Sequence, residues 1–361
     1  MSTTKKFVAV AVGLGLVTLS ACTSSDSDSG DGAAESRTVT LVSHDSWAAS
    51  KTVIDDFEKQ SGYQVKVLKD GDAGQALNKA ILTKDNPQGD VFFGVDNTLL
   101  SRALDNKLFQ SYQAKESDLI PPEYLVDPLK HRVTPIDFGD ICVNYDKAYF
   151  EERGLTPPES FDDLVKPEYK DLLVTENAST SSPGLGFLLG TAAKYGDDGW
   201  QDYWTKLKAN GVKVVDGWEQ AYNEEFSGSA AGKKAKGDRP LVVSYASSPP
   251  AEVVFADPKP KTAPTGVAYG TCFRQVEYAG LLTNAENAKG GKALIDFLIS
   301  KKFQADLPLN MFVYPMREDA QVPEEFTKYG KAAEDSETMA PNKIAKNRDQ
   351  WVKSWTSLVL K

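Results

Sequence analysis

Val39-Thr40-Leu41-Val42-Ser43, Tyr63-Gln64-Val65-Lys66-Val67-Leu68 and Asp90-Val91-Phe92-Phe93-Gly94 are three short runs rich in β-branched and aromatic residues, a composition that favours strands. Between them lie two stretches patterned as helices, Ala48 to Lys59 and Ala73 to Thr83. Such a βαβαβ run forms a parallel sheet, because parallel neighbours need a crossover connection. Its functional loops lie at the carboxyl ends of the strands. The fold class read from this stretch is α/β.

Toward the C-terminus, Ile136-Asp137-Phe138-Gly139-Asp140-Ile141-Cys142-Val143 alternates as an extended segment after the Pro-rich stretch Ser117 to Pro135, and reads as a first crossing between two lobes. A second lobe then holds a helix started by Ser160, a strand near Leu172-Leu173-Val174, helices Pro183 to Tyr195 and Trp200 to Leu207, and a strand Leu241 to Tyr245. Gly228 to Gly237 is small, basic and Gly-rich, a surface loop. The chain returns through Tyr269 to Tyr278, and two extended crossings imply a hinge. Residues 38–136 and 279–335 are assigned to lobe 1, 137–146 and 269–278 to the hinge, and 147–268 to lobe 2. Residues 336–361 are expected to form a C-terminal helical segment of unassigned lobe.

Toward the N-terminus, Lys5 and Lys6 precede an apolar run from Phe7 to Leu19 that ends in Leu19-Ser20-Ala21-Cys22. This is the pattern of a secretory signal with a lipoprotein cleavage box, leaving Cys22 as a lipidated N-terminus. The run is shorter than the roughly 20 apolar residues a membrane span needs. Residues 22–37, mostly Ser, Asp and Gly, read as a flexible tether. Losing residues 1–21 removes two of 41 basic residues and none of 51 acidic, leaving 39 against 51, a net charge of −12. That balance disfavours nucleic acid as a partner. With Cys22 lipidated, Cys142 and Cys272 remain as an even pair outside the reducing cytosol, so a disulfide is expected. The two histidines, His44 and His131, stand in no zinc-ligand spacing. No GxSxG or Walker loop is present, and no enzymatic activity is expected.

Several motifs together resemble the periplasmic thiamine-binding proteins of ABC importers, within the two-lobed type II solute-binding proteins. They are His44-Asp45-Ser46-Trp47-Ala48, Asp90 to Leu100, Pro135-Ile136-Asp137-Phe138-Gly139 with Asn144-Tyr145-Asp146-Lys147, Ser181-Ser182-Pro183-Gly184-Leu185-Gly186, Gly217-Trp218-Glu219-Gln220-Ala221-Tyr222, Val243 to Pro249, and Tyr314-Pro315. The resemblance implies a type II periplasmic-binding-protein fold with a hinge of two crossing strands. The ligand it implies is thiamine or a thiamine phosphate, and the implied partners are an ABC permease and its ATPase. No cofactor is expected, the protein is expected to be a monomer, and membrane contact is expected through the lipid alone. Relatives carry tyrosine at the position of His44 and near Ala251, and tryptophan at that of Phe312.

Thiamine carries a permanent thiazolium charge, an aminopyrimidine and a hydroxyethyl arm that can bear phosphate. Trp218, Tyr222 and Tyr245 can offer ring faces to the cation, worth ~0.5 to 2 kcal/mol each. Trp218 and Tyr222, four residues apart, would also suit a helix's core stripe. By resemblance Asp70, in Lys69-Asp70-Gly71-Asp72, accepts a hydrogen bond from the aminopyrimidine, with Gly71 beside it. Asp-Gly is also ordinary turn chemistry. Asp45, Asp96 and Asp137 sit at strand ends or the hinge, where helix capping is the other use for an Asp. Ser181, Ser182 and Gly184 place hydroxyls and amides at a helix start that suits an oxyanion. His44, Ser248 and Phe312 complete the candidate set. Alternatives are another small cation, either a polyamine or ferric iron bound through an anion, and an extracytoplasmic hydrolase.

Overall fold

The computed structural model describes residues 36–126, 129–230 and 237–361. The signal sequence, Cys22 and nearly all of the tether lie outside the described residues, as does most of the Gly228 to Gly237 loop. Strands β1 (Thr38–Ser43), β2 (Gln64–Lys69), β3 (Val91–Asp96), β4 (Thr134–Asp146), β5 (Leu173–Glu176), β6 (Lys213–Val215), β7 (Leu241–Tyr245), β8 (Thr265–Leu281) and β9 (Tyr314–Pro315) follow one another along the chain. They form one sheet ordered β2-β1-β3-β8-β4-β7-β5-β6, with β9 against β4.

The sheet has two parallel ends and an antiparallel middle. β1 pairs in parallel with β2 and β3, as the βαβαβ pattern requires. β5 pairs in parallel with β6 and β7. Between these ends β4 and β8 run antiparallel to each other, β8 also flanking β3 and β4 flanking β7. Both are long enough, at 13 and 17 residues, to belong to both halves. Their register shifts between Ile141 and Val143, and Cys142 at the shift is bonded to Cys272. Closing a loop with a sequence separation of 130 restricts the unfolded chain by roughly 4 to 5 kcal/mol on chain-entropy grounds.

β3 is buried throughout, whereas edge strand β2 alternates from Gln64 to Val67 and turns Gln64 and Lys66 outward. Charged side chains on an edge discourage pairing with a second chain. The helix after β1 spans Lys51–Ser61 and not Ala48 to Lys59. Ser50 is tied by its N–H (2.7 Å) and its hydroxyl (2.5 Å) to the Asp306 carboxylate, so residues 46–49 stay as a loop. Ser160 starts no full helix either. Asp163 draws in the Ser160 N–H and hydroxyl at 2.9 Å, and Pro167 follows, leaving short turns Asp163–Val165 and Pro167–Tyr169. The two helices expected after Pro183 form one element, Ser182–Ala209, broken at Gly196 with φ 77°.

The C-terminal helix Pro341–Val359 touches both halves. Trp355 meets Trp204 edge-on at 5.4 Å, and Lys208 donates to the Leu358 carbonyl at 2.8 Å. Arg348 reaches Ser101 at 3.0 Å.

Candidate functional site

A cavity of about 530 Å³ opens where the carboxyl ends of the parallel strands converge. The loops after β1 and β2 supply one wall, with His44 to Ala48, Lys69, Asp72 and Ala73. The segments after β5, β6 and β7 supply the other, with Ser182, Pro183, Trp218, Glu219, Tyr222, Tyr245, Ser248 and Glu252. Glu277 of β8 lies between them, and Phe255 with Asn310 to Val313 closes one side.

On the first wall the His44 ring is held from two sides, Nδ1 lying 2.9 Å from the Ser46 hydroxyl and Nε2 3.4 Å from the Glu277 carboxylate. Gly94 makes room for it. Its φ is 95°, and a Cβ there would come within 2.3 Å of the imidazole. Burial opposes protonation of His44, but the Glu277 charge and hydrogen bond outweigh it and hold the pKa above 6.5. Asp45 accepts the Gly71 N–H at 3.0 Å, and its carbonyl accepts Lys69 Nζ at 2.7 Å.

Asp72 has the most partners on this wall. Its Oδ1 accepts the N–H of Ala73 at 2.6 Å, capping helix Ala73–Leu82. The same oxygen accepts the Ser182 N–H at 3.3 Å, and Oδ2 accepts the Trp218 N–H at 2.9 Å. Burial pushes its carboxyl pKa up, while the Trp218 N–H and the His44 charge pull it back.

The second wall is aromatic. Trp218 and Tyr222 stack at 5.1 Å and 16°. Trp218 Nε1 donates to the Ser244 hydroxyl at 2.9 Å, which meets the Ser248 hydroxyl at 2.9 Å. The Tyr222 hydroxyl donates to Glu252 at 3.0 Å, and the other Glu252 oxygen accepts the Ala230 N–H at 2.5 Å. Burial, then the Glu277 charge, raises the Tyr245 phenol well above 10.0, so it stays a neutral donor. Phe312 holds φ 54°, its carbonyl accepting the Ser247 hydroxyl at 2.5 Å, and its ring lies 5.4 Å from Phe255. A bulky residue in the left-handed region costs of order 1 to 3 kcal/mol, and such strain gathers at ligand sites.

Residues 86–333 match the model of the bacterial extracellular solute-binding protein family. The chain belongs to that family. Two relatives, each named thiamine-binding periplasmic protein, come from Salmonella typhimurium strain LT2 and Escherichia coli strain K12. They are 30% and 29% identical over 326 residues, covering 89% of this chain and 93% of their own. A solved periplasmic thiamin binding protein superposes with a TM-score of 0.76 at 26% identity, covering 89% of this chain and 96% of its own. A ferric binding protein from Campylobacter jejuni superposes at 0.71 with 17% identity, covering 89% and 99%, which speaks for the fold alone. The fold is that of the type II periplasmic-binding proteins.

In this solute-binding protein the cavity gathers His44, Asp45, Ser182, Trp218, Tyr222, Tyr245, Ser248 and Phe312 of the residues expected from sequence. Asp70 does not line it. Its carboxylate turns to Lys79 of the following helix at 3.0 Å. Gly71 forms the turn behind the wall, with φ 86°. Asp96 caps its own turn through Thr98 (2.6 Å) and Leu99 (3.2 Å) and accepts Gln275 at 2.8 Å. Asp137 is buried beside Glu277. Burial and that neighbour raise its pKa well above 3.8. Ser181 and Gly184 are buried at the helix start and do not line the cavity. Sequence reading passed over Lys69, Asp72, Glu219, Glu252 and Glu277. Asp72 carried a legible sign, since an Asp directly before an apolar helical stretch is an N-cap. Glu277 carried none beyond being an acid inside a strand.

Proposed function

We propose that this protein binds thiamine and serves as the substrate-binding component of an ABC importer, as a monomer held at the membrane by lipid on Cys22. The observation that carries the ligand is the pairing of an aromatic wall, Trp218, Tyr222 and Tyr245, with an acidic surround of Asp45, Asp72, Glu219, Glu252 and Glu277. A flat ring with a permanent positive charge suits both. Desolvated rings attract it by their quadrupoles, and carboxylates in a cavity of low dielectric add long-range attraction. The names of the two relatives support the same choice. The protein acts by binding and not by catalysis. β4 and β8 serve as the hinge between lobes, and the ligand draws them closed because it touches both walls at once only in the closed state.

Isothermal calorimetry on protein unfolded, dialysed and refolded to remove carried ligand tests this reading. Thiamine is expected to bind and to quench tryptophan fluorescence through Trp218. A null result by both methods overturns the assignment. A Cys22→Ser variant is expected to leave the membrane fraction, and light scattering checks the monomer.

A further inference from the structure

The amides that a ligand's anionic group would use are already occupied. The N-terminus of helix Ser182–Ala209 and the turn at Trp218 both open on the cavity. Exposed N–H groups at a helix start favour an oxyanion. Here the Ser182 N–H goes to Asp72 Oδ1 at 3.3 Å and the Trp218 N–H to Asp72 Oδ2 at 2.9 Å. The carboxylate comes from the opposite half of the sheet, from the loop after β2, and reaches across the cleft. The halves touch beside it, where the Gln75 N–H donates to the Thr180 carbonyl at 3.2 Å. The fit is close, because a Cβ at Gly217 would lie 3.1 Å from Asp72 Oδ2.

Among the described residues the lining's cations are already engaged. Lys69 is the one lysine that the described residues bring to it, its ammonium donating to the Asp45 carbonyl at 2.7 Å, and the His44 ring faces Glu277 at 3.4 Å. A phosphate entering the cavity would displace Asp72 from two amides or sit among Asp45, Glu219, Glu252 and Glu277. Either route is repulsive, since like charges in a confined site of low dielectric cost far more than in water.

We infer that Asp72 is a built-in anion standing where a ligand phosphate would otherwise bind, so that the protein selects unphosphorylated thiamine over thiamine monophosphate and diphosphate. This rests on the thiamine reading and adds a specificity residue to it. The selection works by exclusion, through a charge that a phosphorylated competitor has to displace.

Calorimetry with thiamine, its monophosphate and its diphosphate, on wild type and on Asp72→Ser, tests the inference. Serine keeps an N-cap for helix Ala73–Leu82 but frees the Ser182 and Trp218 amides. Wild type is expected to prefer thiamine over the diphosphate at least tenfold. Asp72→Ser is expected to shrink that preference at least fivefold, chiefly by gaining diphosphate affinity. Asp72→Asn, neutral and of the same size, is expected to move the same way by less. Thermal melting confirms that the variants fold. A wild type that binds diphosphate as tightly as thiamine, or an unchanged ratio in both folded variants, overturns the inference and leaves the thiamine assignment standing. Absence of binding by thiamine and both phosphates sinks the assignment instead. Inorganic pyrophosphate then decides the role of Asp72. Binding gained by Asp72→Ser and absent from wild type supports it, and equal behaviour of the two proteins overturns it.

Discussion

The two walls of the cavity are built from different materials. The wall after β5, β6 and β7 presents rings, each fixed by a polar atom at its rim: Trp218 through Ser244 and Tyr222 through Glu252. The wall after β1 and β2 presents charge, on loops whose carboxylates and ammonium are held by turn amides and carbonyls, as with Asp45, Lys69 and Asp72. Rings gain attraction over a broad face and tolerate some misplacement. Charges act through particular atoms, and a shift of one residue changes which atom faces the ligand. The aromatic wall should therefore hold the ligand and the charged wall should choose it.

The largest effect is expected on the aromatic wall. Trp218→Ala should weaken thiamine about a hundredfold, since truncating a buried aromatic anchor costs ~2 kcal/mol or more and the cation–π share adds ~0.5 to 2. Glu277→Gln should cost about tenfold, the range of one charge-assisted contact. Calorimetric titration of both variants gives the order. A reversal, with Glu277 outweighing Trp218, would mean that charge and not stacking holds the ligand.

Acidity separates the walls further. His44 titrates above 6.5 beside Glu277, and the carboxyl of Asp96, behind the charged wall, is pushed up to about 6 by burial, with Thr98 and Gln275 opposing the shift. A cation favours ionised carboxylates and a neutral imidazole. Thiamine affinity should accordingly rise several-fold between pH 5 and 7.5, and more weakly in Glu277→Gln. The ligand-free protein should show the opposite trend in stability. Asp96 binds its proton more tightly folded than unfolded, so its contribution is full below about 3.8 and is lost as pH rises through about 6. Burial raises Asp137 and Glu176 in the same direction. The melting temperature without ligand should be higher at pH 5 than at pH 7. A flat profile would show that these acids keep their charge in the fold.

The same contrast governs what was legible beforehand. The parallel run through β1, β2 and β3, the crossing strands and the Cys142 to Cys272 bond follow from alternation and cysteine counting, because hydrophobic period and compartment constrain them directly. Trp218 and Tyr245 come from the family resemblance carried by Gly217 to Tyr222 and Val243 to Pro249, and both line the cavity. Helix starts at residues 48 and 160 shifted or shortened because distant or downstream carboxylates, Asp306 and Asp163, captured the capping groups. The buried acids Glu277 and Asp137 meet only through the pairing of β4 with β8, a contact that no local window contains.

The smallest effect is expected at Asp70, and it bears most directly on the contrast. The family resemblance places the contact to the aminopyrimidine on this carboxylate. In the structure Gly71, at φ 86°, reverses the chain between the two acids of Asp70-Gly71-Asp72, so that Asp72 faces the cavity and Asp70 faces Lys79. The Lys79 side chain is 55% exposed, and an ion pair of that kind is worth roughly 0 to 1 kcal/mol. Asp70→Asn should therefore change thiamine affinity by less than about threefold. Oxythiamine replaces the exocyclic amino group with an oxo group, turning a donor into an acceptor, and so reports which carboxylate reads that group. The preference for thiamine over oxythiamine should be the same in Asp70→Asn as in wild type. Titrating both proteins with both ligands gives the coupling as a double difference. A preference that collapses in Asp70→Asn would show that ligand binding flips the turn at Gly71 and brings Asp70 into the cavity. The charged wall would then be a surface remade by its ligand, while the aromatic wall receives the ligand as it stands.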